Sequence, residues 1–321
     1  MMRTLLAAAC AALLYACQPA PATTTATQQV EAAPTWAYPI NPPGTQPTPD
    51  DGAKLTLTGS RQSYTRTQLR DLFNAPDWHP DQHPPAPDVV VHGRAPDVRA
   101  CGFCHLPTGD GRPENARISG LSHDYIVAQM AAFRAGERGE PIEGRGPHRT
   151  MVQIGAAANA AEVEAAARYF SALPAHAYIR VVESDTAPKT HIAGWTMALD
   201  EAGGTEPLGQ RIVEFPDDFE RFEMRDPQTH YTAYVPVGSI ARGRALAETR
   251  ACASCHGAGL KGAGDIPGLA GRSPSYLVRQ LYDFQTGARS GAAAAPMRNL
   301  VSGLSDADRI ALAAYIATLT P

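Results

Sequence analysis

The chain has 321 residues, of which 44% are hydrophobic, 19% charged and 7% aromatic, and its formal net charge is −4. This length allows two or three domains of ordinary size, each with its own core. The composition is globular rather than disordered or fibrous, and the balanced charge argues against a nucleic-acid binder that relies on a basic field.

The first 16 residues have the features of an export signal. Arg3 precedes an apolar run over residues 5–16, which is too short to span a bilayer. The stretch Leu-Tyr-Ala-Cys that ends at Cys17 resembles the processing box of bacterial lipoproteins. We therefore predict a lipoprotein-type signal at 1–16, lipidation of Cys17 and a periplasmic, membrane-anchored protein. Plain secretion with cleavage near Ala20 and an uncleaved anchor are the alternatives.

Residues 17–62 are predicted to form a solvated tether. Eight prolines, with many Thr and Ala, lie between residues 18 and 50, and such a composition does not pack a core. Beyond the signal, no apolar run approaches the length that a membrane-spanning helix needs. We expect this segment to hold the folded domains away from a membrane surface.

Two C-x-x-C-H motifs follow, at residues 101–105 and 252–256. Two thiols at this spacing can reach both vinyl groups of one haem while the adjacent histidine faces the iron. Structural disulfides, a shared zinc ion and a thioredoxin-like dithiol are the alternatives. The pairs lie 151 residues apart in similar repeats, and neither has the strand and helix that flank a redox dithiol. The motifs therefore favour one covalently attached haem c each.

The motifs belong to an internal repeat. A shift of 151 residues aligns 101–138 with 252–289 without a gap, with 12 of 38 positions identical. The matches beyond the motifs include Tyr125 with Tyr276, Gln129 with Gln280, Phe133 with Phe284, and Arg138 with Arg289. Because the tyrosine, glutamine and phenylalanine are four residues apart, they line one helix face, which we interpret as core packing.

A methionine is the predicted second iron ligand in each unit. The C-terminal unit has no histidine after His256, and its only methionine is Met297. In the first unit Met151 and His148 compete. The repeat favours Met151, because both methionines precede the equivalent terminal tyrosine by the same 18 residues, whereas His148 would align with Ala294. An iron with two protein ligands is closed and mainly carries electrons.

These residues together resemble the class I cytochromes c, and their tandem arrangement is similar to the dihaem cytochromes of the c-four type. The resemblance covers roughly residues 93–174 and 240–321 and implies two helical domains with one haem c each. It implies thioether bonds at Cys101, Cys104, Cys252 and Cys255, proximal ligands His105 and His256, and distal ligands Met151 and Met297. Pro267 matches the proline whose carbonyl orients the proximal histidine in this family, whereas Ala116 stands at that place in the first unit.

The predicted fold is mainly α, with two tandem class I cytochrome c domains at 63–174 and 240–321 and a small β-rich insert at 175–239. A helix is expected at Gly243–Arg250 before the second motif. Pro96 interrupts this pattern before the first motif, so the first domain is expected to borrow Thr65–Asn74. Four runs of the insert are predicted strands: Tyr178–Glu183, Trp195–Leu199, Gln210–Phe215 and Tyr231–Val235. The insert is either a docking surface for a dehydrogenase or oxidase subunit or, as we favour, a brace between the haem domains.

The resemblance implies a periplasmic dihaem carrier without catalytic residues, which moves single electrons between a respiratory donor and a terminal acceptor or oxidase. Its expected partners are redox proteins and, through the lipid, a membrane, but not nucleic acid. The main alternative is the haem subunit of a periplasmic dehydrogenase. A dihaem peroxidase would need a vacant iron position, which the paired methionines argue against, and a haem-storage lipoprotein is a further alternative. The other histidines are scattered, and we do not predict a metal site at the pair His79 and His83.

Overall fold

The computed structural model describes residues 33–139 and 141–321. The predicted signal peptide and Cys17 lie outside these residues. None of the helices in this part of the chain combines the length and the apolar character that a membrane crossing requires.

The described chain is a mixture of helices and short strands. The helices are Arg66–Leu69 (α1), Asp88–Val91 (α2), Cys101–His105 (α3), His123–Arg134 (α4), Gly146–Ala157 (α5), Ala160–Ser171 (α6), Phe219–Glu223 (α7), Ser239–Thr249 (α8), Ala253–His256 (α9), Pro274–Thr286 (α10), Ala295–Val301 (α11) and Asp306–Ala317 (α12). The strands are Leu55–Thr56 (β1), Ser63–Tyr64 (β2), Ile179–Glu183 (β3), Thr186–Pro188 (β4), Thr190–Ala193 (β5), Thr196–Leu199 (β6), Thr205–Pro207 (β7), Val213–Pro216 (β8) and Tyr231–Val235 (β9). As a whole it is mixed α/β with several small sheets, and the expectation of a mainly α chain holds only for the two helical units.

The two helical units have the same order of elements. Helices α3 to α6 of the first unit correspond to α9 to α12 of the second. The long helices α4 and α10 begin after Ser122 and Ser273, which are equivalent in the repeat, and each serine side chain caps its helix. Helices α6 and α12 begin with capping boxes at Asn159 and Ser305. Because these start signals are local, the sequence repeat is reproduced as a structural repeat.

In the second unit a long helix packs against the terminal helix. Helix α8 packs on α12, and Gly243 permits a close approach, because a Cβ at this position would overlap the carbonyl of Ala311. The predicted helix at 243–250 is confirmed, although it begins earlier, at Ser239. Helices α8, α10 and α12 all contribute buried side chains to the second core.

In the first unit a single helical turn, and not a long helix, precedes the motif helix. The single turn α2 packs against α3 and α6, with Val90 fully buried. The prediction that residues 65–74 supply this helix is wrong, because only Arg66–Leu69 is helical and Leu69 packs in a separate cluster with Trp78 and Met224. The residues around Pro96 form a short bridged loop rather than a long helix.

The prediction of a solvated tether over 17–62 is wrong at Ala37, Tyr38 and β1, whereas residues 42–54 are exposed, as a solvated segment requires. Ala37 and Tyr38 are buried in the core of the second unit, and β1 pairs with β2 as an antiparallel hairpin. The Tyr38 hydroxyl donates to Asp283 Oδ1 at 2.7 Å, and Arg279 donates to the Ala37 carbonyl at 2.8 Å. The proline-rich composition implies an extended backbone that forms no core of its own. Ala37 and Tyr38 nevertheless anchor the segment in the core of the second unit.

The insert contains the predicted strands and several that were not predicted. Strands β3, β9 and β8 form one sheet in that order, with β3 parallel and β8 antiparallel to β9. The ribbons β4–β7 and β5–β6 are antiparallel pairs. Trp195, which the sequence placed at the start of a strand, instead forms the turn before β6 with a positive φ, next to Gly194. Strands β4, β5 and β7 escaped prediction because strands of three or four residues show little alternation.

The insert contacts both helical units. On the first, Arg112 donates to the carbonyl of Phe222 at 3.0 Å. On the second, the buried carboxylate of Glu214 accepts from the Ser273 hydroxyl at 2.8 Å and from the Ser275 backbone N–H at 3.0 Å. These contacts agree with the interpretation of the insert as a brace.

Candidate haem sites

The first candidate site is a cavity of about 170 Å³ within the first helical unit. Cys101, Cys104 and His105 on α3 and Met151 on α5 contribute to its wall. Apolar side chains from α2, α4, α5 and α6 line much of the rest, together with polar groups such as Gln129 and Glu162; the apolar ones include Val89, Ile126, Phe133, Ile154, Val163 and Phe170. The fold therefore brings the four predicted haem-binding residues of this unit to one apolar cavity.

The two motif histidines have the same hydrogen bond. His105 Nδ1 lies 2.7 Å from the carbonyl of Ala116, and His256 Nδ1 lies 2.8 Å from the carbonyl of Pro267. Since a carbonyl only accepts, Nδ1 carries the proton in both rings and Nε2 keeps its lone pair. Burial lowers the pKa of both histidines, which favours the neutral ring. Ala116 replaces proline without loss, because the acceptor belongs to the backbone.

Three of the four motif cysteines, Cys101, Cys104 and Cys252, are thiols in poorly solvated positions, whereas Cys255 is exposed. Burial raises the pKa of Cys101 to about 12 and also raises the pKa of Cys104 and of Cys252. A raised pKa suppresses the thiolate on which thiol–disulfide exchange depends. No disulfide joins the four described cysteines. These thiols therefore fit covalent attachment of a cofactor better than a disulfide or a reactive dithiol.

Both sequence candidates for the sixth ligand of the first unit line the first cavity. His148 and Met151 lie one turn apart on α5. The Nε2 atom of His148 is buried without a hydrogen-bond partner, and its ring lies 5.9 Å from that of Phe133. Burial, together with the charge of Arg138, lowers the pKa of His148 to about 4. The ring is therefore neutral near pH 7.

The second candidate site has the same residue types on equivalent elements. Cys255 and His256 lie on α9, Cys252 caps its start, and Met297 lies on α11. His256 is buried, and Cys252 and Met297 pack partly buried against the core of the second unit. The donor set is therefore two thiols, an imidazole and a thioether in both units, as one haem c in each requires.

The two motifs differ in how the rest of the chain covers them. Gly102 and Phe103 of the first motif are buried. Arg225 of the insert lies 3.5 Å from the centre of the Phe103 ring and donates to the Phe103 carbonyl at 2.8 Å. Ala253 and Ser254 of the second motif are exposed. The insert therefore shields the first motif, whereas the second motif faces solvent.

A buried polar cluster joins the two units, and it is built from residues that match in the repeat. Arg138 Nη2 donates to Gln280 Oε1 at 3.0 Å, and Arg289 Nη2 donates to Gln129 Oε1 at 2.9 Å. The same two arginines form an antiparallel backbone bridge. The sequence singled out these matches, but their interpretation as core packing is incomplete, because the polar groups hold one unit against the other.

The first cavity extends to the second unit. Tyr276, Arg279, Gln280 and Asp283, all on α10, line it together with Tyr38 of the N-terminal segment. Burial raises the pKa of Asp283. The N-terminal segment and α10 were not predicted to line this site, and the sequence offers no signal for such a contact beyond the repeat match of α10 itself.

The remaining histidines do not form a metal site. Among the described residues, no group of three or more His, Cys, Asp or Glu side chains could hold a metal ion. His79 was expected at the surface but is buried, with Nε2 3.5 Å from Asp226 Oδ1. His83 bonds to Asp77 at 3.2 Å instead of sharing a ligand with His79.

The known proteins that are similar to this chain are cytochromes and electron acceptors. A cytochrome c family model matches residues 240–320. The thiosulfate dehydrogenase electron acceptor of Thiomonas intermedia (strain K12) is 26% identical over 225 residues, which are 69% of this chain and 79% of the relative. Cytochrome c4 of Azotobacter vinelandii is 26% identical over 222 residues, 67% of this chain and 82% of the relative.

Solved structures of similar proteins carry related names. Thiosulfate dehydrogenase TsdBA from Marichromatium purpuratum is 27% identical with a TM-score of 0.47, and the match covers 79% of this chain but only 40% of that chain. Cytochrome c4 from Pseudomonas stutzeri is 20% identical with a TM-score of 0.44, covering 68% and 93% of the two chains.

The paired motifs, the donor sets and the sequence relatives agree on the cofactor and the activity. Covalently bound haem c, one group for each motif, and electron transfer between redox proteins are the cofactor and the role that these relatives support. Residues 240–320 match the cytochrome c family, and over about two thirds of its length the chain is similar to cytochrome c4 and to thiosulfate dehydrogenase electron acceptors.

Proposed function

We propose that this chain is a periplasmic electron carrier in which each helical unit holds one haem c through its own motif and methionine. The observation that carries the proposal is the matched pair of sites. In both units a motif histidine donates from Nδ1 to a backbone carbonyl eleven residues later. In both, a methionine lies on the helix that precedes the terminal helix.

Each site residue has a stated role in this proposal. The thioether bonds form at Cys101, Cys104, Cys252 and Cys255, the proximal ligands are His105 and His256, and the distal ligands are Met151 and Met297. An iron with two protein ligands has no position for oxygen or peroxide. The sites therefore suit electron transfer, and a dihaem peroxidase is not favoured.

The chain's own residues prepare the sites for this role. The bound haem supplies the redox couple, and the protein supplies orientation and environment. The Nδ1–H bonds of His105 and His256 fix each ring with the Nε2 lone pair free for the iron. The apolar side chains in the wall of the first cavity would lower the polarity around the first haem. The cluster around Arg138 and Arg289 holds the two units together.

A second candidate function is the electron-accepting subunit of a periplasmic dehydrogenase. It is favoured by the two relatives named thiosulfate dehydrogenase electron acceptor, which are similar over 69% and 71% of this chain. The two functions differ in partnership and not in the chemistry of the haem sites. A dehydrogenase partner would reduce the chain directly on mixing, with thiosulfate as the first substrate to test, whereas a free carrier would be reduced by several unrelated donors.

The N-terminal signal belongs to the same proposal. We infer that Cys17 is lipidated and holds the protein at a membrane surface, where diffusion to a membrane-bound partner is confined to two dimensions. The test is expression of the full chain and of Cys17→Ala in a bacterium that matures c-type cytochromes. The variant is expected in the soluble periplasmic fraction and the parent in the membrane fraction. An equal distribution of both would refute lipidation.

The site assignment is tested by haem content and carbon monoxide binding of the purified protein. The parent is expected to contain two haems per chain, to show the weak long-wavelength sulfur-to-iron band when oxidised, and to bind no carbon monoxide when reduced. Met297→Ala is expected to bind one carbon monoxide per chain, and Met197→Ala, in the insert, none. Carbon monoxide binding by the parent, or none by Met297→Ala, would refute the assignment.

A further inference from the structure

The first cavity presents two side chains that are able to bind iron. His148 and Met151 lie on the same face of α5, separated by three residues, and both line the cavity that holds Cys101, Cys104 and His105. A single rotation or shift of this helix face would exchange one for the other. The second unit offers no such pair, because Ala294 stands three residues before Met297 and no histidine follows His256.

The imidazole of His148 forms a backbone hydrogen bond with Arg138, but its Nε2 atom is not used elsewhere among the described residues. Its Nε2 atom is buried and has no hydrogen-bond partner, although a buried ring nitrogen without a partner is costly. Phe133 packs against the ring on one side, and the nearby positive charge of Arg138 disfavours a second ring proton. A neutral, desolvated imidazole with a free nitrogen is the form in which histidine binds a metal.

We propose that His148 is a second ligand of the first haem iron, which takes the sixth position whenever Met151 leaves it. This inference rests on the proposed function, which gives that position to Met151 at rest. The exchange breaks one iron–sulfur bond and forms one iron–nitrogen bond. No electron and no proton is transferred, because the ring is already neutral. The first haem alone therefore has two closed states, one with histidine and methionine and one with two histidines.

The two states would differ in redox potential. Methionine as the axial ligand raises the potential of a haem, and replacement by imidazole lowers it. A ligand exchange at the first site would therefore change the driving force between the two haems, while the second haem stays the same. Because the insert shields the first motif from solvent, we expect the change in redox potential to affect electron transfer between the two haems of the chain.

The test compares matched methionine variants of the haem-loaded protein. We expect Met151→Ala to keep two haems per chain, to remain six-coordinate and low-spin, and to bind no carbon monoxide when reduced. Its ferric electron paramagnetic resonance spectrum should contain a signal of two-histidine coordination. Met297→Ala, without a neighbouring histidine, should bind one carbon monoxide. The double variant His148→Ala with Met151→Ala should also bind one.

Two results would overturn the proposal, and a third would refute part of the proposed function. The first is carbon monoxide binding by Met151→Ala equal to that of Met297→Ala. The second is a double variant that still binds none, which would assign the replacement ligand to another residue. The third is His148→Ala alone that binds carbon monoxide, which would mean that Met151 is not the resting ligand and would refute that part of the proposed function instead.

If Met151→Ala loses the first haem, a chemical test on the protein with its methionines in place is used instead. Oxidation of methionine thioethers with chloramine-T weakens them as ligands without changing the sequence. The oxidised parent is then expected to bind one carbon monoxide per chain, at the second site only, and oxidised His148→Ala two. Two per chain in both proteins would overturn the proposal. The haem count and the sulfur-to-iron band of the untreated parent report separately on the proposed function.

Discussion

Substitution of Tyr38 by phenylalanine tests whether the N-terminal segment is part of the folded protein. The Tyr38 hydroxyl donates to Asp283 Oδ1 at 2.7 Å and lies 3.2 Å from the carbonyl of Arg279. Burial raises the pKa of Tyr38, so the hydroxyl remains a donor at all working pH values. The variant keeps the ring and leaves a buried carboxylate without this donor. A hydrogen bond to a charged group contributes about 1.5–3 kcal/mol.

The assay is amide hydrogen exchange of residues 33–41 in the haem-loaded protein. A loss of about 1.5–3 kcal/mol corresponds to a fall in protection of roughly 10- to 150-fold when this segment opens locally. Tyr234→Phe is the matched control, because the Tyr234 ring stacks on Phe215 and its hydroxyl has no hydrogen bond to any described residue. Protection of 33–41 within twofold of the parent value in Tyr38→Phe would refute the claim that this bond anchors the segment.

Three further predictions concern packing and buried charge. Burial raises the pKa of the Glu214 carboxyl group. The folded state therefore holds the carboxyl proton more tightly than the unfolded state does, and the stability of the protein falls as pH rises above the ordinary glutamate range. The melting temperature of Glu214→Gln should exceed that of the parent by more at pH 8 than at pH 5, and an equal difference at both would contradict this. Gly243→Ala should lower stability by roughly 1–3 kcal/mol through overlap with Ala311, seen as a lower melting temperature, and an unchanged value would show that α8 can move away. Arg225→Ala removes the hydrogen bonds from a charged guanidinium to the carbonyls of Phe103 and Leu69, each worth about 1.5–3 kcal/mol. This variant should have a lower melting temperature than the exposed control Arg61→Ala, and protease should cleave it faster near the first motif. Equal behaviour of the two variants would contradict the shielding role.

The described structure distinguishes two halves that are similar in sequence. The matched caps, motifs and methionines make the sites equivalent. The insert and the N-terminal segment then make them different, because both pack around the first cavity or its motif. A pair of similar haems in different surroundings is the simplest way to obtain two different potentials from one repeated unit.

Several expectations from the sequence were correct because they depend on short-range geometry. The C-x-x-C-H spacing places two thiols and an imidazole on one helical turn whatever the rest of the chain does. The helix starts at Ser122 and Ser273 are likewise local. The repeat carried this reasoning from one unit to the other, and the methionines that it paired lie on the equivalent helices α5 and α11. Their role as iron ligands stays a prediction.

The expectations that failed depend on contacts between distant segments. A proline-rich composition says that residues 33–41 cannot form a core alone, but it does not say that Ala37 and Tyr38 have a place in another core. Pro96 indicated that no long helix precedes the first motif. Nothing in the sequence indicated that the single turn α2 takes its place. Short strands such as β4 and β7 exist only because they find each other.

The sequence by itself determined the cofactor, its number and its covalent chemistry, because attachment needs only residues within one turn of the chain. The tertiary structure decided which groups surround each site. Arg138 meets Gln280, Arg225 covers Phe103, and His148 faces the same cavity as Met151 only after helices far apart in the chain have packed. Such contacts follow from the shape of whole units and their burial, which no local pattern encodes.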